Sequence, residues 1–169
     1  GTVLLSSLDL GQMTSGWSVA KAGLEIAGGP LKIHGKQFAD GVGTHATSKF
    51  RVQLDSNAKR FTAEVGVDDS AGSQGSVEFV VVGDGKILWR SGVMNVREVA
   101  RPVDVNLAGV RTLTLRVTDG GDGESNDHAD WADAKIEMNE NAPPPAALPP
   151  SESFAVKTKN FAVNFQIGD

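Results

Sequence analysis

Cysteine is absent from the 169 residues, which excludes disulfides, thiolate metal sites and a cysteine nucleophile. Basic clusters are nearly absent too. Lysine and arginine never run beyond two together and the net charge is −5, so the basic face that a phosphate backbone requires is missing and nucleic acid is excluded as a partner. No apolar run approaches the ~18 residues of a membrane-crossing helix, so no membrane partner is expected. The helical stripe of apolar residues is missing throughout. The chain opens Gly1-Thr2-Val3 with neither an initiator Met nor a signal peptide, and is expected to be a fragment or a mature form.

What remains is an ordinary globular composition, 40% apolar and 22% charged, enough for one sandwich of about 130–140 residues to stand without staples. From Lys49 onward the period of the apolar residues is two. Phe50, Val52 and Leu54 alternate with Arg51 and Gln53; Phe61, Ala63, Val65 and Val67 follow after the turn Asp55–Lys59. Val77, Phe79 and Val81 lead to Gly83-Asp84-Gly85-Lys86, a hairpin turn of the Asp-Gly kind. Val103, Val105, Leu107 and then Leu113, Leu115, Val117 continue the pattern. Short alternating strands with turns every ~8–12 residues predict an all-β, antiparallel sandwich or barrel. Phe50, Val52, Phe61, Val65, Phe79, Val81, Leu113, Leu115 and Ile136 are expected inside. Residues 141–151 hold five of the seven prolines and read as a stiff extended linker. That divides the chain into a module over 1–140, the linker over 141–151, and a tail over 152–169 that begins a truncated second domain or docks as an added strand.

The stretch that looks most purposeful is Asp119–Asp133, DGGDGESNDHADWAD, between the strand patterns Thr112–Val117 and Ala134–Met138. It holds five aspartates, a glutamate, an asparagine, one of three histidines and one of three tryptophans. Loops of that length in a compact domain are usually functional or disordered, and the Trp-Ala-Asp ending argues against disorder. If Lys49–Leu54 and Phe61–Val67 pair as a hairpin, the start of one lies beside the end of the other. The loops at Thr44-His45-Ala46 and Asp68-Asp69 are then expected at one end of the sandwich.

Gly41-Val42-Gly43-Thr44-His45-Ala46, Val65-Gly66-Val67-Asp68-Asp69, Gly83-Asp84-Gly85-Lys86 and Asp127-His128-Ala129-Asp130-Trp131-Ala132-Asp133-Ala134 resemble, in order and spacing, the NPCBM modules, also classed as carbohydrate-binding module family 51. The likeness runs from about Val3 to Met138. It implies a galactose-binding-domain-like jelly-roll β-sandwich that is itself non-catalytic, is covalently attached to a bacterial glycoside hydrolase, works outside the cell or in the periplasm, and binds galactose or α-galactoside-type glycans, in some members with a structural Ca2+. The tail from Phe154, with Asn160-Phe161-Ala162-Val163, looks like the start of the N-terminal β-sandwich of large bacterial α-galactosidases. Tyrosine is absent, so a sugar-stacking platform has to be a tryptophan or a phenylalanine.

The expected sugar contacts are His45, Asp68, Asp69, Asn126, Asp127 and Asp130. His45 reads equally as a structural histidine in a glycine-rich turn, and Asp68-Asp69 equally as turn caps. Asp127 and Asp130 are favoured as contacts because a carboxylate accepts two adjacent hydroxyls well. Trp131 is expected in the core, with Trp17 and Trp89 open to either role. Asp40 and Asp133 are the expected cation ligands; the EF-hand pattern itself fails in the 119–133 stretch. The leading reading is a targeting module that raises local substrate concentration for a tethered enzyme. Against it stand a glycosidase built on two of the carboxylates and a structural spacer that binds nothing.

Overall fold

The computed structural model describes residues 1–150 and, for the backbone only, the strands 153–157 and 162–166. The strands run β1 Thr2–Leu4, β2 Lys21–Ala22, β3 Leu31–Ile33, β4 Lys36–Phe38, β5 Gly41–His45, β6 Ser48–Gln53, β7 Ala58–Val67, β8 Ser76–Gly83, β9 Lys86–Asn95, β10 Arg101–Asn106, β11 Thr112–Thr118, β12 His128–Met138 and β13 Ala146–Leu148. Two antiparallel sheets face each other. One has the order β10-β7-β12-β5-β2 with β1 also paired to β12; the other is β13-β6-β11-β8-β9. This is the expected all-β sandwich of jelly-roll type.

Alternation placed the core. Phe50, Val52, Phe61, Val65, Phe79, Val81, Leu113, Leu115 and Ile136 are all buried between the sheets. Trp131 lies at their centre, edge-on to Phe79 at 5.1 Å and to Phe61 at 5.9 Å. The β8–β9 hairpin closes at Gly83↔Lys86 with Asp84 and Gly85 both at positive φ, as an Asp-Gly turn demands.

Three expectations are corrected. β6 and β7 do not pair as a hairpin: β6 bonds to β11 and β13, β7 to β10 and β12, and the chain crosses between sheets at 54–57. Inward alternation looks the same whether a neighbour lies beside or across, so the period could not tell these apart. The 119–133 stretch is only half loop. Its second part enters β12 at His128, whose register against β5 pairs His128 with His45. The glycine-punctuated run before His45 is likewise a strand, β5, buried at all five positions. A Cβ on Gly43 would sit 2.3 Å from the Leu24 carbonyl oxygen, so glycine here permits a close approach of backbones, not a turn.

The described part of the proline-rich segment, 141–150, is not free of the sandwich. β13 adds to the edge of β6 with Ala146 opposite Gln53 and Leu148 opposite Arg51, and Arg51 Nη1 donates to the Pro149 carbonyl at 3.0 Å. A three-residue edge strand between prolines fits, because such an edge leaves one side's N–H groups unneeded. In the tail, Ser153–Lys157 pairs with Ala162–Gln166, and neither pairs with the sandwich strands. Asn160 and Phe161, half of the motif linked to α-galactosidases, lie outside the described residues.

Candidate functional site

The loops at one end of the sandwich meet as expected, although for a different reason. β5 and β12 deliver His45 and His128 side by side. The Asp127 carbonyl accepts the Ala46 N–H at 3.1 Å, and the Asp68 N–H donates to the His128 carbonyl at 3.0 Å. Between them opens a cleft of about 550 Å³ lined by Gly16, Trp17, His45, Glu124, Ser125, Asn126 and His128.

Trp17 forms one side of it. The ring is 51% exposed. It is nearly parallel to His128 at 5.7 Å (11° between planes) and edge-on to His45 at 6.0 Å, while the two imidazoles lie 5.5 Å apart. Gly16 makes this seat possible. Its N–H bonds the His45 carbonyl at 3.0 Å, and a Cβ there would lie 2.0 Å from the Ala46 oxygen. Opposite, the Glu124 carboxylate accepts from Thr47 N–H at 3.2 Å and Thr47 Oγ1 at 2.9 Å through Oε2. An exposed aromatic face beside several fixed polar atoms suits a sugar ring, whose C–H face stacks while its hydroxyls bond.

Of the six expected contacts, His45 and Asn126 line this cleft. The other four do not. Asp68 is buried and accepts from Ser70 N–H at 2.9 Å and Lys32 N–H at 3.0 Å. Asp69 accepts from His34 and Gly35 N–H, both at 2.9 Å, and faces a separate cleft with His34 and Arg97. Together they fasten the β3–β4 hairpin to the loop end. Asp127 is fully enclosed and accepts the Ser76 N–H at 3.0 Å, tying the acidic loop to β8. Burial pushes its carboxyl up to about 6, against the Ser76 bond and with help from Asp122 and Asp119.

Asp130 is the extreme case, with 0% exposure near the start of β12. Neither oxygen receives a donor. Burial first, then the adjacent Asp68 carboxylate, then Glu25 and Asp69 push its pKa well above the carboxylate range. That setting favours the neutral acid, for which the Asp68 carboxylate is the neighbouring acceptor. A carboxyl so enclosed reaches no sugar; the expectation that Asp127 and Asp130 contact ligand is replaced by an architectural role for both.

The cation pair fares no better. Asp133 N–H bonds the Asp40 carbonyl at 2.8 Å, but the Asp133 carboxylate is paired with Lys135 at 3.3 Å and Asp40 is exposed. Among the described residues no group of three His, Asp or Glu side chains is arranged to hold a metal. Calcium takes six to eight oxygens, and this pair does not fit it.

The sequence did not single out His128 or Glu124 as cleft residues and left Trp17 open, yet all three line the cleft. The available signal for Trp17 was its setting, Thr14-Ser15-Gly16-Trp17-Ser18, a bulky ring in a polar run with no strand period to bury it. For His128 it was the pairing opposite His45, visible only once β5 and β12 are recognised as neighbours.

With this geometry in view, the relatives are informative. The NPCBM/NEW2 domain profile matches residues 1–137, and the chain belongs to that family. It is 38% identical over 136 residues to alpha-1,3-galactosidase B of Akkermansia muciniphila, covering 78% of this chain and 16% of that enzyme. It is 38% identical over 109 residues to a putative endo-alpha-N-acetylgalactosaminidase of Renibacterium salmoninarum, covering 64% of this chain and 7% of the other. The chain thus spans only a small part of either enzyme. Among solved structures, the CBM51 of Clostridium perfringens GH95 in complex with methyl-galactose superposes with a TM-score of 0.74 at 32% identity, over 80% of this chain and 99% of that one. The CBM51-2 module of C. perfringens ZmpB with GlcNAc gives 0.75 at 28% identity, over 82% and 32%. The domain is therefore a carbohydrate-binding module of the kind carried by glycoside hydrolases.

Proposed function

We propose that the module binds the terminal sugar of a neutral glycan, galactosides foremost, in the cleft beside Trp17, and so keeps a covalently linked glycoside hydrolase, α-galactosidase-like in type, at its substrate outside the cell or in the periplasm. The observation that carries this is the half-exposed Trp17 ring set over His45 and His128. The methyl-galactose complex of one relative and the galactosidase to which another copy is attached support the choice of sugar. A shallow, open cleft of this polarity suits micromolar to millimolar affinity. Hydrolysis within the module is disfavoured: a glycosidase needs two carboxylates flanking the bond, whereas Asp127 and Asp130 are enclosed and Glu124 alone presents a carboxylate to the cleft.

Titration with methyl-galactose and GlcNAc tests the reading. Trp17→Ala and His45→Ala are expected to abolish measurable binding with melting temperatures close to wild type. Undiminished binding by both variants rules out this cleft, and a wild-type chain that binds neither sugar, nor any glycan on an array at high concentration, favours the spacer.

A further inference from the structure

The hydrogen-bonding character of the cleft is decided behind its wall. His45 Nδ1 lies 2.7 Å from the Ala46 carbonyl oxygen. A carbonyl only accepts, so Nδ1 carries the proton and the neutral ring keeps a lone pair on Nε2. His128 Nδ1 lies 2.8 Å from Ser70 Oγ, and that hydroxyl lies 3.0 Å from Glu25 Oε1. Glu25 is buried, and its orientation is fixed by backbone N–H groups, Ala27 on Oε1 at 2.6 Å and Gly29 on Oε2 at 2.8 Å. A hydroxyl has one proton to give. Ser70 gives it to the carboxylate, which only accepts, and Ser70 Oγ then accepts from His128 Nδ1–H. Among the described residues neither Nε2 has a partner, and neither is sealed from solvent. Burial and the His45 ring hold His128 below the usual histidine range, opposed by Glu25 and Asp68, which favours the neutral ring.

On the glycan-binding reading above, we propose that Glu25 and Ser70 are positioning residues that lock His128 with its proton on Nδ1, so that the cleft presents two imidazole Nε2 acceptors beside the Glu124 carboxylate. Such a site selects a sugar edge made of hydrogen-bond donors. Two neighbouring free hydroxyls satisfy it, and so does the same edge with an ammonium in place of one hydroxyl. A sulfate brings acceptors and negative charge against lone pairs and a carboxylate; an O-methyl removes the donor and leaves an acceptor unpaired. Trp17 supplies affinity for any ring, and the histidine pair supplies the choice among rings.

Two measurements on the intact chain test this. Nitrogen-15 NMR of the side chains reads the tautomers directly. Wild type is expected to show a protonated Nδ1 and a bare Nε2 at His45 and His128. Ser70→Ala is expected to mix the tautomers of His128 alone, Glu25→Gln to do so in part, and Ser70→Thr to keep the wild-type form. Binding is then measured with methyl-galactose and GlcNAc, their singly O-methylated and O-sulfated forms, and methyl galactosaminide. At least one adjacent pair of positions is expected to lose about tenfold or more on methylation or sulfation, with the amine retained. Ser70→Ala should weaken the parent sugars by about threefold to tenfold and blunt the discrimination. A proton on His128 Nε2 in wild type overturns the lock whatever binds. Sulfated sugars bound as well as their parents overturn the donor-edge selectivity. If neither parent sugar binds, the glycan reading of the cleft falls and the selectivity with it, while the NMR result still decides the lock.

Discussion

Trp131 and Trp17 are the same residue under two regimes. Trp131 is sealed between the sheets, meeting Phe79 and Phe61 edge-on, while Trp17 is half exposed over two histidines on a segment with no strand of its own. Around Trp131 the demand is volume: apolar side chains from both sheets interdigitate and any one contact is replaceable in kind. Around Trp17 the demand is direction. Gly16 must lack a Cβ, Asp127 must hold the loop to β8, and Ser70 and Glu25 must stand behind His128. The difference teaches where acidity goes in this molecule. Its most conspicuous carboxylates build the platform from within, and the lining of the candidate cleft is left largely to a tryptophan, two imidazoles and Glu124.

The comparison breaks most visibly at the core. Trp131→Ala is expected to cost ~3–5 kcal/mol in denaturant unfolding; a loss under about 1 kcal/mol would mean that the site collapses freely and volume is not what it supplies. Next comes Gly16→Ala, whose added Cβ collides with the Ala46 oxygen and forces the Trp17 segment to lift. Binding of methyl-galactose is expected to weaken about tenfold or more, ~1.4 kcal/mol, with little change in melting. Equal losses in both assays would erase the division between the two regions.

Asp127→Asn sharpens the division through pH. Burial pushes the Asp127 carboxyl up to about 6 in the fold, from 3.8 for an aspartate in the open chain. A raised carboxyl binds its proton more tightly in the fold, so its contribution to stability is full below about 4, declines as pH rises to about 6, and is level above. His128, held low, works the other way, losing stability as pH falls below about 6.5, but it is present in both proteins. The melting temperature of Asp127→Asn minus that of wild type should therefore climb between pH 4 and 6 and then stay flat; a pH-independent difference removes the buried-acid assignment. The smallest effect concerns the edge. Arg51→Ala loses the bond to the Pro149 carbonyl, worth ~0.5–1.5 kcal/mol, and should speed proteolytic cleavage within 142–150 without moving the global melt. Unchanged cleavage there would mean that the ladder to β6 and the packing of Ala147 hold β13 without the Arg51 bond.

Where apolar and polar residues alternate, the chain was readable in advance. Every residue assigned inward from that pattern, from Phe50 to Ile136, is buried. Legibility failed where tertiary contact overrides local preference. Gly41–His45 is a strand because neighbours press on both its faces, and β12 holds Asp130 near its start because burial raises the pKa of that acid and favours its neutral form. The loop end was placed correctly through a hairpin that does not exist, since the crossing between sheets returns the chain to the same end. At the site, His45 and Asn126 were legible as polar residues in loop motifs. Trp17 was not, because a single ring outside any period carries no sign of which way it faces, and the four aspartates were over-read because a carboxylate that caps an amide looks, in sequence, like one that waits for a ligand.

The short β13 strand decides at which end of the sandwich the described segment finishes. It runs antiparallel to β6, and carrying its register two residues beyond Leu148 brings Pro150 level with Lys49, near the end that holds His45. Had the chain left from the opposite end, it would have had to retrace the six residues of β6, about 20 Å at ~3.3 Å per residue. A flexible tether reaches a root-mean-square span of that size only with about 13 residues, at 5–6 Å times the square root of their number. A tether that starts from Pro150 starts on the His45 side and would need none of that slack to reach the cleft.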